Sequence, residues 1–182
     1  MSTSTISIKD REIAAEIEDA CKIVVFYENT PARVGAMSVC DRLVDQFAED
    51  LDFEFRWWKF KRLGDTNLRG QIMEFALKAD IVMFCPQGAG LSEEASEWLE
   101  AWAESGVNSD GAIALVVPAN VDPEGGTAKL SPGFKWAAKR LGMDFLQVSV
   151  PMISSDAGSR PAQAAVGTSA DSLQHQHWGL NE

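Results

Sequence analysis

The sequence predicts an α/β protein, a three-layer αβα sandwich built on a five-stranded parallel sheet of order 2-1-3-4-5. Three observations carry that expectation. Short apolar runs recur along the chain, and segments with apolar residues at helical spacing lie between them. Several runs, such as KIVVFY, IVMF and GAIALVV, are apolar throughout rather than alternating, as strands covered on both faces are. The junctions carry Gly, Pro and Asn, the residues of tight turns. Strands alternating with helices imply crossover connections and a parallel sheet. The order 2-1-3-4-5 is a common solution for five strands.

Ala79–Trp102 (ADIVMFCPQGAGLSEEASEWLEAW) shows the repeating unit most fully. Ile81–Phe84 is long enough for a buried strand. Cys85-Pro86-Gln87-Gly88-Ala89-Gly90 then breaks the run. Leu91, Ala95, Trp98, Leu99 and Trp102 follow at helical spacing. The other elements fall into line around this one. Lys22–Tyr27 is the first strand, Glu28–Ala32 (ENTPA) a turn, and Val34, Met37, Cys40, Val44, Phe47 and Leu51 the apolar stripe of a helix. In Asp52–Phe60 (DFEFRWWKF), Phe53, Phe55 and Trp57 alternate with Glu54 and Arg56, so this strand belongs at an edge. Trp57 and Trp58 point to opposite faces, and one of them is expected to be exposed or to be covered by something, such as a helix of the same domain. Asp65 or Thr66 caps the next helix, whose buried face is Leu68, Ile72, Phe75, Ala76 and Ala79. Gly111–Val117 is the fourth strand and Pro118–Pro132 a long loop. Phe134, Ala137, Ala138 and Leu141 mark the last helix, and Met143–Val150 the fifth strand.

The flanks differ in character. Residues 1–21 form an N-terminal extension in which Ile13 and Ile17 are compatible with one face of a short helix. Residues 22–153 make the domain. Residues 154–182 read as a disordered linker, rich in Ser, Ala, Gly and Gln, ending in a peptide motif with Leu173, Trp178 and Leu180. That motif is expected to dock in a groove, around Trp58 or on a protein partner; a fortuitous Trp on a floppy tail is the other reading.

Composition narrows the function classes. A formal net charge of −11 opposes nucleic-acid and anionic-membrane binding. No apolar stretch is long enough to span a bilayer, and the amino terminus lacks the pattern of a signal peptide. The 3 cysteines are widely spaced and suit a reducing cytoplasm. The 2 histidines, His175 and His177, lie in the tail, so no metal site and no Ser-His-Asp or Cys-His chemistry is expected in the core.

The candidate site is the pair of loops at the topological switch point, where the carboxyl ends of the first and third strands meet. Asn29, Thr30 and Arg33 at a helix N-terminus could hold a phosphate, or be an ordinary capped turn. Pro86, Gln87, Gly88 and Gly90 could let a flat ring approach the backbone, or form a tight loop needing positive φ. Asn120, in the long loop, is placed nearby. Cys85 is expected to be a buried, inert thiol, and no catalytic residue is assigned. Glu93 and Glu94 repel anions, so any phosphate belongs at the first loop.

Asp80–Trp98 and Gly111–Leu141 resemble the flavodoxin-like superfamily, and within it the NADPH-dependent FMN reductases. The resemblance covers Lys22–Val150 and implies FMN as the cofactor, with its phosphate near Asn29, Thr30 and Arg33. Gln87-Gly88 stands where members often carry an aromatic and an Asn. A second likeness is to TIR domains: Ser96-Glu97-Trp98-Leu99 is similar to their Ser-x-Trp box. The glutamate of NAD-cleaving members, four residues past that Trp, is here Trp102. Receiver domains share the layout, but the third strand ends in Cys85-Pro86 rather than a phosphorylatable aspartate. Two readings remain. One is a small-molecule domain binding a flavin or other nucleotide at the switch point. The other is a non-catalytic interaction module using its edge strand and the C-terminal HWGLNE peptide.

Overall fold

The computed structural model describes residues 20–88, 90–106, 110–119 and 127–151. Five strands, β1 (Cys21–Tyr27), β2 (Phe53–Lys59), β3 (Ile81–Cys85), β4 (Ala112–Pro118) and β5 (Asp144–Val150), form one sheet in the order β2-β1-β3-β4-β5. Every neighbouring pair is parallel. Helices α1 (Thr30–Phe47), α2 (Thr66–Leu77), α3 (Glu93–Glu104) and α4 (Thr127–Leu141) make the crossovers, with a 3-10 turn at Phe60–Arg62 after β2. This is the doubly wound, flavodoxin-like arrangement that the sequence predicts.

Side chains alternate across the sheet and divide the core in two. Val24, Phe26, Val82, Phe84, Ile113 and Leu115 meet α2, α3 and α4 on one face. Phe84 is the hub there, with ring centroids 5.0 Å from Phe26 and 4.9 Å from Phe134. Trp98 lies tilted against Phe26 at 4.8 Å, with Trp102 5.5 Å from Trp98, which puts Ala95, Trp98, Leu99 and Trp102 of the predicted stripe in the core and leaves Leu91 half-buried against it. Ile23, Val25, Tyr27, Met83, Cys85, Ala114 and Val116 face the other way, towards α1. β1, β3 and β4 are the most buried strands, as the continuous apolar runs imply. Among the described residues no helix is long and apolar enough to cross a membrane.

Three expectations need correcting or narrowing. The buried face of α1 is Ala32, Gly35, Ala36, Val39 and Cys40, whereas Val34 is 45% and Leu51 44% exposed, and Met37 and Phe47 are exposed too. Close approach is the reason. A Cβ on Gly35 would stand 3.0 Å from Val150 Cγ2, so small residues take the contact and the larger ones turn outward. Second, both Trp57 and Trp58 are buried, at 3% and 4% exposure. β2 is an edge only in its hydrogen bonding. Trp58 enters the large core beside Phe60, and Trp57 meets Tyr27 edge-on at 6.3 Å on the α1 face. Trp58 is thus covered rather than exposed. Third, the predicted loop Pro118–Pro132 turns helical at Thr127, with Pro132 inside α4. Proline removes a single N–H near the start of the helix, and Leu130 and Phe134, buried on either side, hold the segment down. Residues 120–126, the possible helix at Asp10–Ala20 (apart from Ala20) and the tail beyond Pro151 lie outside the described residues.

Candidate functional site

Parallel pairing of β1 with β3 sets Tyr27 opposite Cys85, so the two strands end side by side and their loops leave together. The Glu28 N–H donates to the Cys85 carbonyl at 3.2 Å. The Gln87 N–H in turn donates to Glu28 Oε2 at 2.6 Å. Glu28 thus ties the ENTPAR and CPQGAG loops to each other and places a carboxylate between them. Sequence reasoning missed this role. The available signal was a carboxylate standing immediately after a strand at the switch point.

The first loop offers a phosphate less than its composition suggests. Asn29 is the N-cap of α1, and its Oδ1 accepts the Ala32 N–H at 3.1 Å. The Arg33 N–H donates to the Asn29 carbonyl at 3.0 Å. Pro31 has no N–H to offer. Of the donors a helix N-terminus normally presents, these contacts leave the Asn29 and Thr30 amides, with the Thr30 hydroxyl on an exposed residue. The half-buried Arg33 guanidinium lies 5.8 Å from the centroid of the Tyr27 ring.

In the second loop Pro86 is buried, Gln87 half-buried, and Gly88 and Gly90 exposed. Positive φ, the alternative weighed for these glycines, is absent at both. A Cβ on either would meet nothing within 4 Å. Neither backbone strain nor crowding within the protein demands glycine there. Gln87 Oε1 is buried without a hydrogen-bond partner among the described residues. Beyond the loop, Ser92 caps α3 by accepting the Ala95 N–H at 3.4 Å, and Glu93 and Glu94 occupy its first turn. Asn120, the remaining predicted site residue, and Ala89 lie outside the described residues.

A cavity of about 660 Å³ opens from Gly90 and runs between α3 and α4. Leu91, Leu99, Leu130 and Phe134 give it an apolar floor, and Glu100, Glu104, Lys129 and Trp136 stand at its rim. Its volume suits a small ligand. Sequence reasoning did not foresee it. The one signal was Trp136, which falls off the apolar stripe of its own helix and is 45% exposed.

Burial pushes the Cys85 thiol well above its ordinary value of 9.0, and neighbouring Cys40 raises it further. Cys40 is itself pushed up to about 12, first by burial and then by Asp41. Both shifts hold these thiols protonated at neutral pH, which disfavours either as a nucleophile. Among the described residues no group of three or more His, Cys, Asp or Glu is placed to hold a metal ion.

No protein-family model matches the chain, and no curated protein does. Among solved structures, a flavodoxin of Streptococcus pneumoniae TIGR4 is similar, with a TM-score of 0.46 and 18% sequence identity. The likeness covers 74% of this chain and 86% of that one. The strand order read from the hydrogen bonds defines the class independently: a flavodoxin-like α/β domain.

Proposed function

We propose that the chain is a small-molecule-binding domain whose ligand meets the Gln87–Gly90 loop and is held by its uncharged part rather than by a phosphate. The observation that carries this is the Glu28 carboxylate between the two loops. It is an acceptor, as is the buried Gln87 Oε1. Together they suit a ligand that presents N–H or O–H groups, such as the ring of a flavin or nucleoside. Gly88 and Gly90, which no described residue crowds, leave the backbone open to a flat ring. Gly90 also borders the cavity between α3 and α4, which gives such a ligand room to extend. A phosphate near Thr30 and Arg33, with FMN as the ligand, is the finer form of the sequence reading. It would bring a dianion towards Glu28, and two unit charges 4 Å apart repel by about 1 kcal/mol in water and about 4 kcal/mol at a protein surface.

The test is a pair of titrations with FMN and riboflavin, which differ only in the phosphate. Riboflavin should bind at least as tightly as FMN, and Glu28→Gln should move the preference towards FMN. A wild-type protein that binds FMN more than about tenfold tighter, some 1.4 kcal/mol, overturns the phosphate-free reading. Failure to bind either flavin removes the flavin as ligand. A second reading, a module that works by interaction, is favoured by the apolar residues that α1 turns outward, Val34 and Met37 among them.

A further inference from the structure

The two faces of the sheet are covered unequally. Three helices pack on the Phe84 face, and among the described residues α1 alone packs on the other. α1 runs over β1, β3, β4 and β5, close enough at Gly35 to touch Val150. It leaves the β2 side of that face to smaller cover. There Phe53 and Phe55 are half-buried, their rings stacked 5.9 Å apart at 19°. Helical spacing puts exposed Met37 and half-buried Val44 on the flank of α1 opposite Gly35, the flank turned away from β5. Stacked phenyl rings on β2, packed against the α1-side core, give this side of the sheet an apolar, aromatic floor, and α1 beside it makes the wall of a groove.

We propose that this groove receives the C-terminal segment of the same chain, with Trp178 seated against Phe53 and Phe55 and Leu180 towards α1. Three arguments select this occupant. Trp178 is the one Phe, Tyr or Trp in the sequence outside the described residues. Aromatic pairs gain over ordinary apolar contact, so an aromatic floor selects it over the isoleucines of the N-terminal segment. The second argument is reach. Pro151 follows β5, at the opposite edge of the sheet from β2. Four strand spacings across the sheet and the rise from the level of Asp144 to Pro151 put Phe55 roughly 30 Å away. Trp178 stands 27 residues past Pro151. A flexible linker of that length has a typical end-to-end distance of roughly 30 Å. Span and reach match, which puts the effective concentration of the peptide near its millimolar maximum. The third is position. An element that follows β5 and returns over the α1 face completes the second outer layer, which a doubly wound sheet needs on each side.

Fluorine NMR on the full-length chain labelled with 5-fluorotryptophan reads this directly. The protein has 6 Trp, and Trp178→Phe identifies the Trp178 signal. Docking predicts a Trp178 resonance displaced from that of a free peptide, insensitive to exchange of H2O for D2O, and shifted by Phe55→Leu or Phe53→Leu. Both substitutions keep an apolar side chain, and the remaining Trp signals report that each variant is folded. A free-peptide resonance overturns the proposal, and would leave the groove to the N-terminal segment or a partner. A shielded resonance that ignores both Phe variants places the tail elsewhere and overturns it too. Shielding that vanishes on dilution assigns the groove to the tail of a second copy and refutes docking within one chain.

Discussion

Gly111 enters β4 where three backbones converge, and Gly111→Ala tests whether the sheet is as tightly drawn there as the geometry implies. A Cβ at this position would lie 2.5 Å from the Asp80 carbonyl oxygen, 3.1 Å from that of Ala79 and 3.0 Å from Met143 Cε. The methionine can swing aside; the two carbonyls belong to the turn into β3. The Asp80 carbonyl accepts the Ala112 N–H at 2.8 Å, and the Gly111 carbonyl accepts the Asp144 N–H at 3.0 Å. Relieving the clash means moving β4 off β3 or off β5, so at least one of those bonds lengthens. Overpacking costs about 1–3 kcal/mol, and a lost backbone hydrogen bond adds about 0.5–1.5 kcal/mol. The expected loss is roughly 2–4 kcal/mol, a large share of the roughly 5–15 kcal/mol that holds a typical domain folded. Urea unfolding followed by far-UV circular dichroism measures it. Gly70→Ala is the control, because a Cβ on that exposed glycine of α2 meets nothing within 4 Å. Helix propensity there should add about 0.5–1 kcal/mol. A Gly111→Ala protein within about 0.5 kcal/mol of wild type, the scatter of ordinary surface changes, would refute the close approach.

The same measurement serves three further expectations. Val34→Ser should change stability by no more than about 0.5 kcal/mol, whereas Ala36→Leu, forced against the sheet, should cost about 1–3 kcal/mol; equal effects would mean that the α1 face is wrongly oriented. Trp98→Ala should cost about 3–5 kcal/mol, because it empties the space beside Phe26 and Phe84. The thiol of Cys40 is raised from 9.0 to about 12 in the folded chain, and that of Cys85 is raised as well. The unfolded chain therefore releases these protons first. Stability from the buried thiols is whole below pH 9 and is lost as pH climbs towards 12, by about 1.4 kcal/mol per pH unit for each thiol. Denaturation midpoints between pH 7 and 10.5 should fall less steeply above pH 9 in Cys40→Ala than in wild type, and parallel curves would contradict the burial of that thiol.

The sequence by itself determined the sheet. Runs such as KIVVFY and GAIALVV are apolar on both faces, and only a strand between two helical layers can bury them. The α3 stripe was equally legible, because tryptophans at helical spacing leave one face to choose. The meeting of the two loops at the switch point followed from strand order alone. Tertiary structure decided what depends on distance. α1 turns Ala32, Gly35 and Ala36 inward because its axis approaches Val150 closely, and hydropathy ranks those residues below the Val34 and Met37 that it turns outward. The fate of Trp57 and Trp58 rested on cover supplied from elsewhere in the chain, which an alternating pattern does not record. Glu28 acquires its place from a hydrogen bond to a residue 59 positions away. Local pattern carries which residues avoid water; which backbone lies within reach of which side chain is set only when the layers close.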